Sequence, residues 1–158
     1  MRKTVLAIAA TVAMVSPAFA VWQVDDESDD QGFLFIASQV DETDTIEVQL
    51  ICDEFREGAL LFSVFTGIPL EKQKHSMPDA PIAVRFGNVA FDDLMAEVVD
   101  LDTERVLDVS ESDHPEVRQI AHAIAKGKEM VVTYRDEQWV LAGDNASPSV
   151  GPILENCP

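Results

Sequence analysis

A two-residue alternation in the first half of the chain constrains the fold most tightly. Ile46, Val48, Leu50 and Cys52 fall on one side, Glu47, Gln49 and Asp53 on the other, with Ile51 the exception. A period of two marks a strand with one buried face and one wet face, and it puts Cys52 on the core side. Strand-like segments surround it. Residues 21–24 open one, and residues 32–40 carry Phe33, Phe35 and Ile36. Residues 59–65 form an apolar run interrupted only by Ser63, as expected of a central strand covered on both faces. Gly67 and Pro69 are expected to end that run, and residues 68–80 read as a long loop. Residues 81–87 form a strand with Ile82, Val84 and Phe86 on one face. Residues 94–99 and 105–109 read as a strand pair around Asp102-Thr103-Glu104, with a helix as the alternative. Residues 129–135 and 138–142 form a hairpin turning at Asp136-Glu137.

One strong helix interrupts this pattern. It begins near Ser112-Asp113, either of which can cap it, and Pro115 and Glu116 suit its first turn. Val117, Ile120, Ala121, Ile124 and Ala125 share one face at helical spacing. Lys126 and Lys128 favour the negative end, and Gly127 stops the helix. A short helix is expected over residues 149–157, with Val150, Ile153, Leu154 and Cys157 facing inward. Strands do not alternate with helices. The expected fold is therefore mainly β: an antiparallel β-sandwich or partly open β-barrel with one firm helix and a short C-terminal helix.

The N-terminus reads as a secretory leader. Arg2 and Lys3 give a positive start, residues 5–15 are apolar, Pro17 breaks the run, and Ala18-Phe19-Ala20 supplies the small-x-small cleavage pattern. The apolar stretch falls short of the ~20 residues that span a bilayer. Cleavage after Ala20 would leave residues 21–158 as one β-rich domain in the periplasm or outside the cell, with no membrane span. Cys52 and Cys157 are the two cysteines of the chain. An oxidising compartment makes a disulfide between them the default, with two buried thiols as the alternative.

Lysine and arginine number 11 against 29 acids, a net charge of −18, and loss of Arg2 and Lys3 with the leader takes it to −20. Such a charge repels nucleic-acid phosphates and anionic lipid, so both are excluded as partners. It is compatible with plain solubility or with a basic partner.

Residues that could carry chemistry have simpler explanations. His75, His114 and His122 lack metal-ligand spacing, so neither a metal nor another cofactor is expected. Ser110, Ser112, Asp113 and His114 lie too close in sequence to face one another as a triad and are better read as capping residues. No Gly-x-Ser-x-Gly or glycine-rich phosphate loop occurs. The acidic run Asp25-Asp26-Glu27-Ser28-Asp29-Asp30, and Asp41, Glu42 and Asp44, lack the spacing of a calcium loop and read as solvated turns. Trp22 and Trp139 read as packing, and Arg85 as the partner of a carboxylate.

Taken in order, these features form a pattern. Trp22-Gln23-Val24, Ser28-Asp29-Asp30, a strand ending at Cys52, Arg85-Phe86, the helix around residues 117–125, Trp139-Val140-Leu141-Ala142-Gly143 and a final Cys157 resemble small periplasmic type VI secretion accessory proteins of the TagO/VasI type. The invasion-associated locus B group is similar in its last two elements. The resemblance implies a β-rich, one-disulfide envelope protein without known catalysis. The expected function is an exported, non-enzymatic accessory that binds another envelope protein, a basic one where the acidic charge guides the choice. Asp25, Asp26, Glu27, Asp29 and Asp30 are its first candidate contacts, and the loop with Lys72, Lys74 and His75 its second. Two alternatives are a secreted inhibitor of a cationic enzyme such as lysozyme, and a hydrolase whose site is assembled from distant residues.

Overall fold

The computed structural model describes residues 20–30, 32–69, 77–101 and 104–157. The expected leader, apart from Ala20, and the loop carrying Lys72, Lys74 and His75 lie outside the described residues. The strands are β1 (Gln23–Asp26), β2 (Leu34–Val40), β3 (Glu47–Asp53), β4 (Leu61–Pro69), β5 (Ala80–Phe86), β6 (Val89–Leu101), β7 (Glu104–Ser110), β8 (Met130–Tyr134) and β9 (Glu137–Leu141). The helices are α1 (Glu116–Ala125) and α2 (Ala146–Asn156), and a single 3-10 turn spans Glu54–Arg56.

All nine strands join one sheet in the order β1-β2-β3-β4-β7-β6-β5-β8-β9, and every pairing is antiparallel. The sheet curls into a half-barrel. Of the two expected architectures, the partly open barrel is the one formed. Two meanders, β1 to β4 and β5 to β7, meet at the β4–β7 pairing, and the hairpin of β8 and β9 is added beside β5 once the chain has passed through α1.

The alternation read in the sequence sets the register. Ala37, Leu50, Phe62 and Val109 lie side by side across β2, β3, β4 and β7, all buried. The next row runs Gln39, Val48, Val64, Leu107 and Val98. Each large apolar side chain buried in such a row contributes about 1.5–3 kcal/mol of transfer free energy. The helices supply the other side of the core. Val117, Ile120, Ala121 and Ile124 of α1 are buried, as are Val150 and Ile153 of α2, and all join the same cluster. α2 packs against α1 and against β1, β2 and β3.

The last turn of the molecule is stapled. Cys52 at the end of β3 is disulfide-bonded to Cys157 just past α2, with 6.1 Å between their Cα atoms and a sequence separation of 105. Arg118 of α1 reinforces the staple. Its guanidinium donates to both carboxylate oxygens of Glu111 and to the Cys157 carbonyl. Glu111 also accepts from the Leu60 backbone N–H at 2.9 Å. Burial alone would raise the Glu111 carboxyl, but the bonds from Arg118 and Leu60 and the Arg118 charge outweigh it and hold the group below its ordinary value.

Several expected boundaries move, each for a local reason. β4 does not end at Gly67. Gly67 takes a φ of +61° and makes an irregularity through which the strand continues to Pro69, opposite Glu104. A β-carbon there would lie 2.3 Å from the Thr45 carbonyl oxygen, so only glycine fits. Side chains fill the broken ladder: Thr66 Oγ1 donates to the Arg105 carbonyl at 2.7 Å, and Gly67 N–H donates to Glu104 at 2.8 Å. Neither Ser112 nor Asp113 caps α1. Pro115 occupies the cap position without a side-chain bond, and the N–H groups of Asp113 and His114 turn back to the Ser110 carbonyl. α2 starts at Ala146, three residues earlier than expected, with Asn145 before it at φ 60°. The last hairpin turns at Arg135-Asp136, since Tyr134 pairs with Glu137. Arg135 adopts a φ of 53° there, the left-handed conformation such a two-residue loop needs.

Candidate protein-binding surface

Asp25 and Asp26 are strand residues rather than part of a free turn, because β1 runs through them. β1 is an end strand of the sheet, bonded to β2 alone, and all four of its residues are exposed. The register places Asp25 opposite Ile36 and Asp26 opposite Phe35, so successive acids project from opposite faces. The hairpin continues past β1. Glu27 N–H donates to the Leu34 carbonyl and Asp29 N–H to the Gly32 carbonyl, both at 2.9 Å. Ser28 Oγ accepts from Leu34 N–H at 3.1 Å, and Asp26 accepts from Ser28 N–H at 3.0 Å. Hydrogen bonds from the Ser28 side chain and N–H hold the Asp26 carboxyl below its ordinary value. Asp25, Asp26, Glu27, Asp29 and Asp30 are thus brought together, all exposed, on one hydrogen-bonded arm. Charges on an edge strand also discourage uncontrolled strand pairing.

Beside the arm stands a residue that sequence reasoning missed. Phe55 is 93% exposed, the most exposed of the large apolar side chains among the described residues. It sits at the centre of the 3-10 turn that follows β3. Asp53 caps that turn, accepting from Arg56 N–H at 2.8 Å and pairing with the Arg56 guanidinium. Glu54 N–H donates to the Phe33 carbonyl at 3.2 Å, which fastens the turn to the returning side of the arm. Gly32 lies so close that a β-carbon would come within 2.2 Å of a Glu54 carboxylate oxygen. Exposed Glu54, Arg56 and Glu57 flank the ring. The available signal was a phenylalanine inside an otherwise polar turn, a position no periodicity marks.

Behind this end, the outer face of the sheet carries a polar row of Ser38, Gln49, Ser63, Asp108 and Glu97 in register. Ser63 Oγ donates to Asp108 at 2.6 Å. Burial pushes the Asp108 carboxyl up, against the Ser63 bond and the attraction of Arg56.

The other residues singled out in the sequence have structural places. Trp22 is 1% exposed and Trp139 packs partly buried against the core. Arg85 pairs with Asp92 at 3.1 Å on an open surface. His122 is exposed on α1, and Ser112 N–H bonds Ser110 Oγ within its own turn. Asp41 locks the β2–β3 turn, accepting from the N–H groups of Thr45 and Ile46 at 2.6 and 3.0 Å and from the Thr43 and Thr45 hydroxyls. Among the described residues no three His, Cys, Asp or Glu side chains group as metal ligands, and no helix is long and apolar enough to cross a membrane.

An array of carboxylates beside one exposed ring supplies long-range attraction and a short-range apolar anchor, the two ingredients of protein recognition. No protein-family model, curated protein or solved structure matched the chain.

Proposed function

We propose that the chain is an exported envelope protein, cleaved after Ala20, that acts by binding a basic protein partner at the arm and Phe55. The observation that carries this reading is the adjacency of the two features. A phenylalanine held in water by a capped turn forgoes roughly 1.5–3 kcal/mol of burial free energy, which a partner's surface can recover. Five carboxylates on the neighbouring arm would draw a basic partner in and orient it. The disulfide supports export, because such bonds persist in oxidising compartments. A place in the periplasm and a role as a secretion accessory follow the resemblance described above.

The test is site-specific photo-crosslinking in the native envelope. A photoreactive side chain at position 55 is expected to capture one predominant protein of basic isoelectric point. The same probe at position 89, an exposed valine at the start of β6, is expected to capture none of it. Equal capture from both positions, or a predominant acidic partner, would contradict the proposal.

A further inference from the structure

β1 has an open edge, and the register tells which backbone groups stand on it. In an antiparallel pair, residues that exchange backbone bonds alternate with residues whose N–H and C=O point the other way. Asp29 and Gly32 bond to each other in both directions, and Glu27 N–H donates to the Leu34 carbonyl. The same alternation makes Asp25 with Ile36 and Gln23 with Ser38 the bonded pairs between β1 and β2. Trp22, Val24, Asp26 and Ser28 therefore turn their backbone groups away from β2. Trp22 bears out this phase. Its N–H donates to the Asp144 carbonyl at 3.0 Å, and its carbonyl accepts from Asn145 Nδ2 at 2.8 Å and Ser149 Oγ at 2.9 Å. At the other end, Ser28 N–H is taken by the Asp26 carboxylate at 3.0 Å. Between these two, the backbone groups of Val24 and Asp26 have no partner among the described residues, and both residues are exposed.

From this geometry we propose that the open edge of β1 takes an extended basic segment of another protein as an added strand. This mode of binding rests on the reading of the arm as the contact for a basic partner, and gives that partner a form. The Val24 and Asp26 backbone supplies the hydrogen bonds, as in strand addition generally. The side chains choose the occupant. Asp25 and Asp26 project from opposite faces, so an added strand meets a carboxylate on each. Opposite charges across a strand pair favour pairing and like charges oppose it.

A second copy of this chain does not fit that edge. β1 laid against β1 would set acids beside acids. The sheet's other end strand, β9, reads Glu137-Gln138-Trp139-Val140-Leu141, with an acid and no cation. The same carboxylates thus turn away the chain's own edges and admit a basic strand.

The experiment uses the exported protein and, as probe, an end-capped peptide of about seven residues, a common strand length, alternating lysine with threonine. A matched peptide of unchanged charge is N-methylated at every interior residue, so that it can be attracted but cannot join a ladder. The first peptide should slow solvent exchange of the Val24 and Asp26 amides. It should bind at least about tenfold tighter than the methylated one, the equivalent of one or two hydrogen bonds. Val24→Pro removes an outward N–H and no bond to β2, so it should weaken the first peptide while the fold persists. Equal affinity of the two peptides, or exchange at Val24 and Asp26 that ignores the first, overturns strand addition alone, because capture of a basic protein at position 55 does not depend on it. A peptide with glutamate in place of lysine that binds as tightly overturns the basic occupant. Failure of the capture at position 55 overturns the reading of the arm, and this proposal with it.

Discussion

Asp41 shows how one side chain fixes a turn and leaves a signature in pH. Burial alone would raise its carboxyl, but the hydrogen bonds from Thr43, Ile46 and Thr45 bring it down to about 2. A folded-state value below the unfolded one means stability that is present above the unfolded pKa and lost as pH falls through the folded one. Asp41→Asn is therefore expected to lower stability by about 1 kcal/mol at pH 7, allowing for solvent screening. The difference should vanish as pH approaches 2 in a urea-unfolding series, and a constant deficit would sever it from the ionised carboxylate. Asp108 has the opposite sign. Its raised carboxyl means that its ionisation opposes folding, so its contribution deteriorates as pH rises from the unfolded value through the folded one. Asp108→Asn, which can keep a partner for Ser63, should be neutral or stabilising by a few tenths of a kcal/mol at pH 7 and lose that gain in acid. Marked destabilisation at pH 7 would mean that the Arg56 attraction dominates.

Elements with a clean period were readable in advance. Val48, Leu50 and Cys52 share the buried face of β3, with Ile46 buried just before it, and Val117, Ile120 and Ile124 share that of α1. Their spacing reports directly which side meets the core. What the sequence hid lay where side chains replaced backbone partners. Thr66 and Glu104 mend the ladder at Gly67, so a residue that reads as a strand end becomes an irregularity inside β4. α1 starts without a side-chain cap, so Ser112 and Asp113 misled. The acidic run was visible, but its hairpin depends on Ser28 meeting Leu34, and Phe55 depends on a capped turn packed at Gly32. No local pattern announces either contact. Ile124→Asp should cost several kcal/mol, because it buries an unpaired charge between α1 and the sheet. Wild-type stability of that variant would mean that the helix face is not buried. Reduction of the Cys52–Cys157 bond frees the end of α2. It should lower unfolding stability by up to about 4.7 kcal/mol in the chain-entropy account of a loop this long. An unchanged denaturation midpoint after reduction would show that Arg118 and the core hold α2 without it.

Across the described residues, one curled sheet wraps a core closed by α1 and α2, and α2 is tied at both of its ends. Trp22 is bonded to the start of α2, and the end of α2 is bonded to β3. Those bonds anchor the start of β1 while the acidic arm and Phe55 stand in water. The charge of −18, rising to −20 on the proposed cleavage, extends the arm's reach to about the Debye length, ~8 Å at physiological salt. The central claim is that this end of the molecule captures a basic partner electrostatically. Its most direct test is the association rate constant with the partner crosslinked from position 55, measured against ionic strength. Wild type should associate fast at low salt and slow steeply as salt rises. A variant carrying Asp25→Asn, Asp26→Asn, Asp29→Asn and Asp30→Asn, with its fold intact, should associate more slowly and with a flatter dependence. Rates that are equal for the two proteins and indifferent to salt would contradict it.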